Sequence, residues 1–357
     1  MKRTTCSVVA NTGVSMLRRA TAAALLAALL AGCASAPLST PTPVATEAKR
    51  LRVIVFPGGF NWPLWVAESK GLFARQNLVV SVTPTPNSTF QLKGLIQGDF
   101  DLAMTAMDNV IAYREGQGEA GVDGPDLVAV MGSDTGFLRL VSVPEVRTYA
   151  DLRGKTLSVD ALTTGYAFVL REMLERNGLM LGRDYQTERA GGVMQRFGAL
   201  MERKHAATML VSPFEVAAQA KGFHVLGNAS EALGSYQGVV AAVRQGWASS
   251  NAPAVEGYIR AFAEAVDWLY EPANKDEAVR IFLANMPAGT GTEAAETAYR
   301  IMLAPNGGFQ KQGKLDLKGV ETVARLRSKF NQRNVAPRPA GTYYDSRFHD
   351  AVMRAWN

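Results

Sequence analysis

Cysteine and histidine are scarce in this chain of 357 residues. The two cysteines, Cys6 and Cys33, both lie near the N-terminus. Cleavage before Cys33 leaves one thiol, so no intrachain disulfide can form. The three histidines, His205, His224 and His349, are far apart and share no ligand spacing. No metal and no other cofactor is therefore expected. No Gly-x-Ser-x-Gly elbow occurs, and no glycine-rich loop runs into Gly-Lys-Ser or Gly-Lys-Thr. The acids are scattered, and nothing marks a paired-carboxylate site. Charge of one sign is missing too. Four of the 38 basic residues, Lys2, Arg3, Arg18 and Arg19, lie in a segment expected to be removed, which leaves 34 against 32 acids. That balance gives no basic patch for nucleic acid. The apolar run at residues 20–30 is too short to span a bilayer as a helix.

What is present starts at that run. Arg18 and Arg19 precede it, and Leu30-Ala31-Gly32-Cys33 closes it. The arrangement resembles the bacterial lipobox, in which the cysteine becomes the lipidated first residue of the mature chain. Residues 1–32 are read as a lipoprotein signal peptide. Residues 33–50 hold Pro37, Pro41 and Pro43 among Ser, Thr and Ala, a flexible tether with no core of its own.

From residue 51 the apolar period alternates between about 2 and 3.6, the rhythm of β-α-β units. An apolar run at 51–56 ends in Pro57-Gly58-Gly59. A helical face follows, with Trp62, Trp65, Val66, Ser69, Leu72 and Phe73, and a second β-rich run fills 78–83. Ser88 or Thr89 is expected to cap a helix over 91–97. Further strands are expected at 99–106, 127–131, 156–159, 185–189, 206–211 and 224–226. A helix opening at Thr164 and ending at Gly178 is the most periodic segment. Beyond residue 235 the pattern is helical, beginning with Asn251 as cap and Pro253 in the first turn. Gly116-Gln117-Gly118-Glu119-Ala120-Gly121 fits G-x-G-x-x-G, but it follows a helix rather than a strand and is read as a loop.

Strands that end in small polar residues recur, and in open α/β sheets ligands bind outside the carboxyl ends of strands. The candidate ligand-binding residues in the first half are Gly59, Phe60, Asn61, Trp62, Thr105, Asp108 and Asp134. Those in the second are Thr163, Thr164, Gly165, Tyr166, Gly192 and Ser212. Trp62 opens a helix at a strand end, so it is expected to stack on the ligand.

Several strings together resemble one known family. They are Asn61-Trp62-Pro63-Leu64-Trp65-Val66-Ala67-Glu68-Ser69-Lys70-Gly71-Leu72-Phe73, Gly98-Asp99-Phe100-Asp101-Leu102-Ala103, Ala150-Asp151-Leu152-Arg153-Gly154-Lys155 and Gly222-Phe223-His224-Val225-Leu226. Their order and spacing resemble the nitrate/sulfonate/taurine and thiamine-precursor (SsuA/THI5-like) family of ABC-transporter substrate-binding proteins. The resemblance implies a type II periplasmic-binding fold, with two α/β lobes, a central cleft and a helical C-terminal extension. Lobe I would take 51–137 with 240–357, and lobe II 138–239. The chain would cross between them near 137–143 and 234–243.

The resemblance also implies a solute-binding component of an ABC importer. Its partners would be a small-molecule ligand, a permease with its ATPase, and the membrane through lipid on Cys33. The protein would be a monomer in the cell envelope, facing the periplasm or the cell exterior, with no catalytic residue. Two departures stand out. No cysteine follows Cys33, unlike the enzymes of thiamine-pyrimidine synthesis on this fold. No Arg or Lys lies in the candidate loops, whereas Asp108, Asp134 and Asp160 lie beside Phe60, Trp62, Tyr166 and Phe214. That pattern favours a ligand with N–H donors or positive charge and a flat apolar part. An enzyme on the same fold and a ligand sensor for a membrane signalling partner stay open as other readings. Neighbouring permease and ATPase genes favour transport, turnover by purified protein favours the enzyme, and a neighbouring kinase gene without a permease favours the sensor.

Cys33→Ser is expected to release the protein from the membrane fraction or to stall its processing. Fractionation with mass spectrometry of the mature N-terminus checks this, and unchanged retention and mass would refute the lipobox reading.

Overall fold

The apolar runs expected as strands form them, and the central strands are buried almost throughout, as two-sided cover in a largely parallel sheet requires. The computed structural model describes residues 47–305, 307–331, 336 and 338–356. Cys33, the signal segment 1–32 and most of the tether 33–50 lie outside the described residues.

The first sheet contains β1 (Lys49–Val55), β2 (Leu78–Pro84), β3 (Leu102–Ala106), β4 (Leu127–Gly132) and β10 (Val239–Arg244). Its spatial order is β2-β1-β3-β10-β4. The second contains β5 (Arg139–Ser142), β6 (Lys155–Val159), β7 (Tyr185–Arg189), β8 (Ala207–Leu210) and β9 (His224–Asn228), in the order β7-β6-β8-β5-β9. β1 runs parallel to β2 and β3, and β6 runs parallel to β7 and β8. β10 is antiparallel to β3 and β4, and β5 is antiparallel to β8 and β9. The two sheets therefore share one plan. Each receives its antiparallel fourth strand from a chain segment that arrives from the other sheet.

Helices follow strand ends. They include α1 (Trp62–Ser69), α2 (Ser88–Gln97), α3 (Met107–Arg114), α4 (Gly165–Arg176), α5 (Val193–Met201) and α6 (Phe214–Gln219). α2 starts earlier than its periodicity predicts. Asn87, not Ser88 or Thr89, is the cap: its side-chain oxygen accepts from the Phe90 amide at 2.8 Å, and the Thr89 hydroxyl donates to the same oxygen at 2.7 Å. Thr164 stands at the cap position of α4, but its hydroxyl donates to Ala161 O at 3.1 Å instead. The Gly116–Gly121 stretch is a loop after α3.

The helical tail comprises α7 (Ala252–Tyr270), α8 (Lys275–Asn285), α9 (Thr292–Met302), α10 (Leu317–Phe330) and α11 (Arg347–Arg354), with short turns between them. Val255, Ile259, Phe262, Val266 and Leu269 form the buried face of α7, as their spacing predicts. Asn251 stands at its cap position, but its carboxamide donates to Trp247 O at 2.8 Å.

The tail is pinned to the first sheet by Trp62. The Trp62 side chain is 0% exposed and its indole N–H donates to Ala278 O at 3.1 Å. Its ring lies 4.3 Å from Phe282 and 5.9 Å from Tyr299. The expectation that Trp62 stacks on a ligand meets this placement: the apolar face of α1 turns to α8 and α9. Trp62→Ala is expected to destabilise the fold by about 3–5 kcal/mol through the cavity it leaves. Urea unfolding checks this, and an unchanged midpoint would show that the ring packs loosely.

Candidate functional site

The carboxyl ends of both parallel strand sets face one cavity of about 40 Å³. From the first sheet's side it is lined by Phe56, Phe60, Ala106, Asn109 and Val239. From the second come Asp160 after β6, Thr164, Gly165 and Tyr166 at the start of α4, Val193 and Arg196 on α5, and Val211 after β8.

The two faces touch directly around this cavity. The Gly59 amide donates to Ser212 O at 3.0 Å, and the Gly192 amide donates to Pro86 O at 3.1 Å. Both contacts need glycine. A Cβ at Gly59 would lie 2.7 Å from Ser212 O, and one at Gly192 would lie 2.7 Å from Pro86 O.

Of the residues singled out from the sequence, Phe60, Thr164, Gly165 and Tyr166 line the cavity, while Gly59, Gly192 and Ser212 form its direct bridges. Others support the walls. The Thr105 hydroxyl accepts from Asn109 Nδ2 at 2.9 Å and so positions a lining side chain. Asn61 Nδ2 donates to Phe56 O at 2.6 Å, and the buried Asn61 Oδ1 has no partner among the described residues. The Thr163 amide donates to Glu119 Oε1 at 2.8 Å and its hydroxyl donates to the same oxygen. The Ser212 hydroxyl donates to Glu215.

Two of the three acids are committed to the protein itself. Asp108 accepts from Arg327 Nε at 2.7 Å and from Nη2 at 2.5 Å, and both residues are buried. Arg327 lies on α10, so loop-by-loop reading could not reach it. Asp134 lies where the chain leaves the first sheet. Its Oδ1 accepts from the Gly136 amide at 2.8 Å and from the Val239 amide at 3.1 Å, which joins the outgoing segment to the returning one. The expectation that these two acids recruit a positively charged ligand is corrected on this geometry.

The expectation of a cleft without basic side chains is corrected too, because Arg196 lines it. A signal for it existed. Val193, Arg196 and Leu200 are the buried residues of α5, at i, i+3 and i+7, which puts an arginine on the apolar stripe.

The Asp134 carboxyl is pushed up to about 6, first by burial, against the lowering effect of the Val239 and Gly136 amides. The hydroxyls of Tyr166 and Tyr236 are pushed up mainly by burial, and the Asp134 charge adds to the effect. A carboxyl raised in the folded state binds more protons there than in the unfolded chain. Its stabilising contribution is thus full below the unfolded value of 3.8 and is lost as pH rises through about 6. Asp134→Asn is expected to gain stability relative to the parent between pH 4 and 7, by up to ~3 kcal/mol. Parallel urea titrations at both pH values check this, and a pH-independent difference would contradict it.

Residues 45–284 match the NMT1-like family. No curated protein matches the chain by sequence. Solved structures do. A Bordetella bronchiseptica RB50 protein is 17% identical, with a TM-score of 0.72 over 87% of this chain and 98% of that one. The nitrate-binding protein NrtA of Synechocystis PCC 6803 is 13% identical, with a TM-score of 0.73 over 87% of this chain and 89% of its own. The alkanesulfonate-binding protein SsuA of Xanthomonas axonopodis pv. citri, bound to MOPS, is 18% identical, with a TM-score of 0.68 over 85% of this chain and 100% of its own. These likenesses show the type II periplasmic-binding fold.

Proposed function

The chain belongs to the NMT1-like family, and from that premise we propose that it is the solute-binding component of an ABC importer. It captures a small organic molecule between its lobes and delivers it to a permease and its ATPase. The observation that carries this reading is the cavity walled by strand ends of both sheets, beside two adjacent chain crossings. In this reading lobe I is 51–137 with 240–357, lobe II is 138–239, and lipid on Cys33 tethers a monomer at an extracytoplasmic membrane face. The likeness to a nitrate-binding and an alkanesulfonate-binding protein supports a solute-binding role.

The mechanism is closure. The segments 133–138 and 234–238 lie side by side, with the Gly238 amide donating to Asp134 O at 2.9 Å. A hinge concentrates its motion in a few such residues. A ligand touching both faces favours the closed arrangement through its differential contacts. No bond is made or broken, so no residue receives a catalytic role.

A thermal-shift screen of small organic solutes should find a ligand that, at 100 times its Kd, adds about 2.7 kcal/mol to stability. Small-angle scattering with that ligand should show a smaller radius of gyration. An unchanged radius at saturation, with binding confined to one lobe, would refute closure.

A further inference from the structure

Most charged groups at the cleft have a close partner within the protein. Asp108 is held by Arg327, Asp134 Oδ1 by two amides, and Glu215 Oε1 by the Ser212 hydroxyl and Arg139, while Asp134 Oδ2 and Glu215 Oε2 have no partner among the described residues. Two lining groups of opposite sign are held more weakly. Arg196 is 4% exposed. Its Nη1 donates to Gly191 O at 2.9 Å and its Nη2 to Met209 O at 3.3 Å, so its hydrogen-bond partners among the described residues are neutral carbonyls. Asp160 is 9% exposed. Among the described residues its Oδ2 accepts only a long bond, 3.4 Å, from the Ser88 amide, and its buried Oδ1 has no partner. The two charges line the same cavity and sense each other across it, but among the described residues they do not close to an ion pair, so the gap between them is left to a ligand.

A buried charge without a counter-charge is costly, and so is a buried acceptor without a donor. A simple anion at Arg196 leaves Asp160 unpartnered and is repelled by it. A simple cation at Asp160 does the converse with Arg196. We propose that the cleft ligand is a small zwitterion. Its anionic end accepts from Arg196, its ammonium donates to Asp160 Oδ1, and its carbon spacer lies against Phe56, Phe60 and Val193. This rests on the cleft being the solute site. The cavity of about 40 Å³ favours a short spacer.

The test is calorimetric titration of the purified chain at pH 7. The probes are glycine, β-alanine and γ-aminobutyrate, the carboxylates acetate, propionate and butyrate, and the amines methylamine, ethylamine and propylamine. One zwitterion is expected to bind at least about 100-fold more tightly than both of its singly charged counterparts, since a site built for a polar group rejects the analogue lacking it. Asp160→Asn should reduce that zwitterion to the level of its carboxylate counterpart, and Arg196→Gln to the level of its amine counterpart. The comparison on the unmodified chain stands whether or not the variants fold. Absence of binding by every zwitterion overturns the proposal. So does a singly charged probe that binds as tightly as its zwitterion. If that probe also lowers the radius of gyration, the cleft remains the solute site. If it binds with no closure and Phe60→Ala leaves its affinity unchanged, the cleft reading fails as well.

Discussion

One buried ion pair carries much of the architecture. Arg327 and Asp108 are 3% and 1% exposed, joined by two hydrogen bonds. Burying two charges is favourable only where every remaining donor is satisfied. Here Arg327 Nη1 donates to Gln117 Oε1 at 3.1 Å, Nη2 also donates to Thr163 O at 2.7 Å, and the guanidinium lies 5.0 Å from the Phe168 ring centre. The pair thus ties three parts of the chain at one point: α3 at the end of β3, the loop before α4, and α10 of the tail. Neighbouring contacts extend the tie. Lys329 donates to Glu172 at 2.6 Å and lies 3.0 Å from Glu175, and Phe330 packs 5.9 Å from Phe168. The helical tail is therefore a brace between the sheets as well as a cover for the first one.

The chain crossings are held differently. There a single carboxylate oxygen of Asp134 collects amides from both crossings. A fixed point of this kind constrains separation of the two segments while leaving rotation about them open. Gly238 allows the close approach, since a Cβ there would lie 2.2 Å from the Gly136 nitrogen. Crossing and brace thus join the two sheets by different means, one through backbone amides and the other through side-chain charge.

The division of labour explains what the sequence made legible. The strands were readable because burial on both faces requires unbroken apolar runs, as in β4, where every residue is buried. The loops at strand ends were readable because glycine and small polar residues are needed where two faces meet closely. Side-chain roles inside those loops were less accessible. Asn87 and Thr164 show why: several short polar groups compete for the same few backbone partners, and the winner depends on local geometry. Trp62 misled because an aromatic at a strand end has the same spacing whether it faces solvent or a later helix. Arg327 was out of reach because its partner lies 219 residues away. Arg196 was within reach, since its place on an apolar stripe is a local signal.

These placements bear on how a ligand can act in the proposed transport role. The lobes already meet through Gly59 and Ser212, through Gly192 and Pro86, and through Thr163 and Glu119. A ligand adds only its own differential contacts to this set, and the shift it produces cannot exceed them. Where protein–protein contacts supply part of the closing free energy, less of the ligand's intrinsic affinity is lost to closing. The same contacts oppose release, because reopening must break the Arg327 contacts to the loop before α4 as well as those of the ligand. In the proposed role, such a protein would hold its cargo tightly in isolation. Handing the cargo over would then require a partner that gains more by engaging the separated lobes than the brace loses.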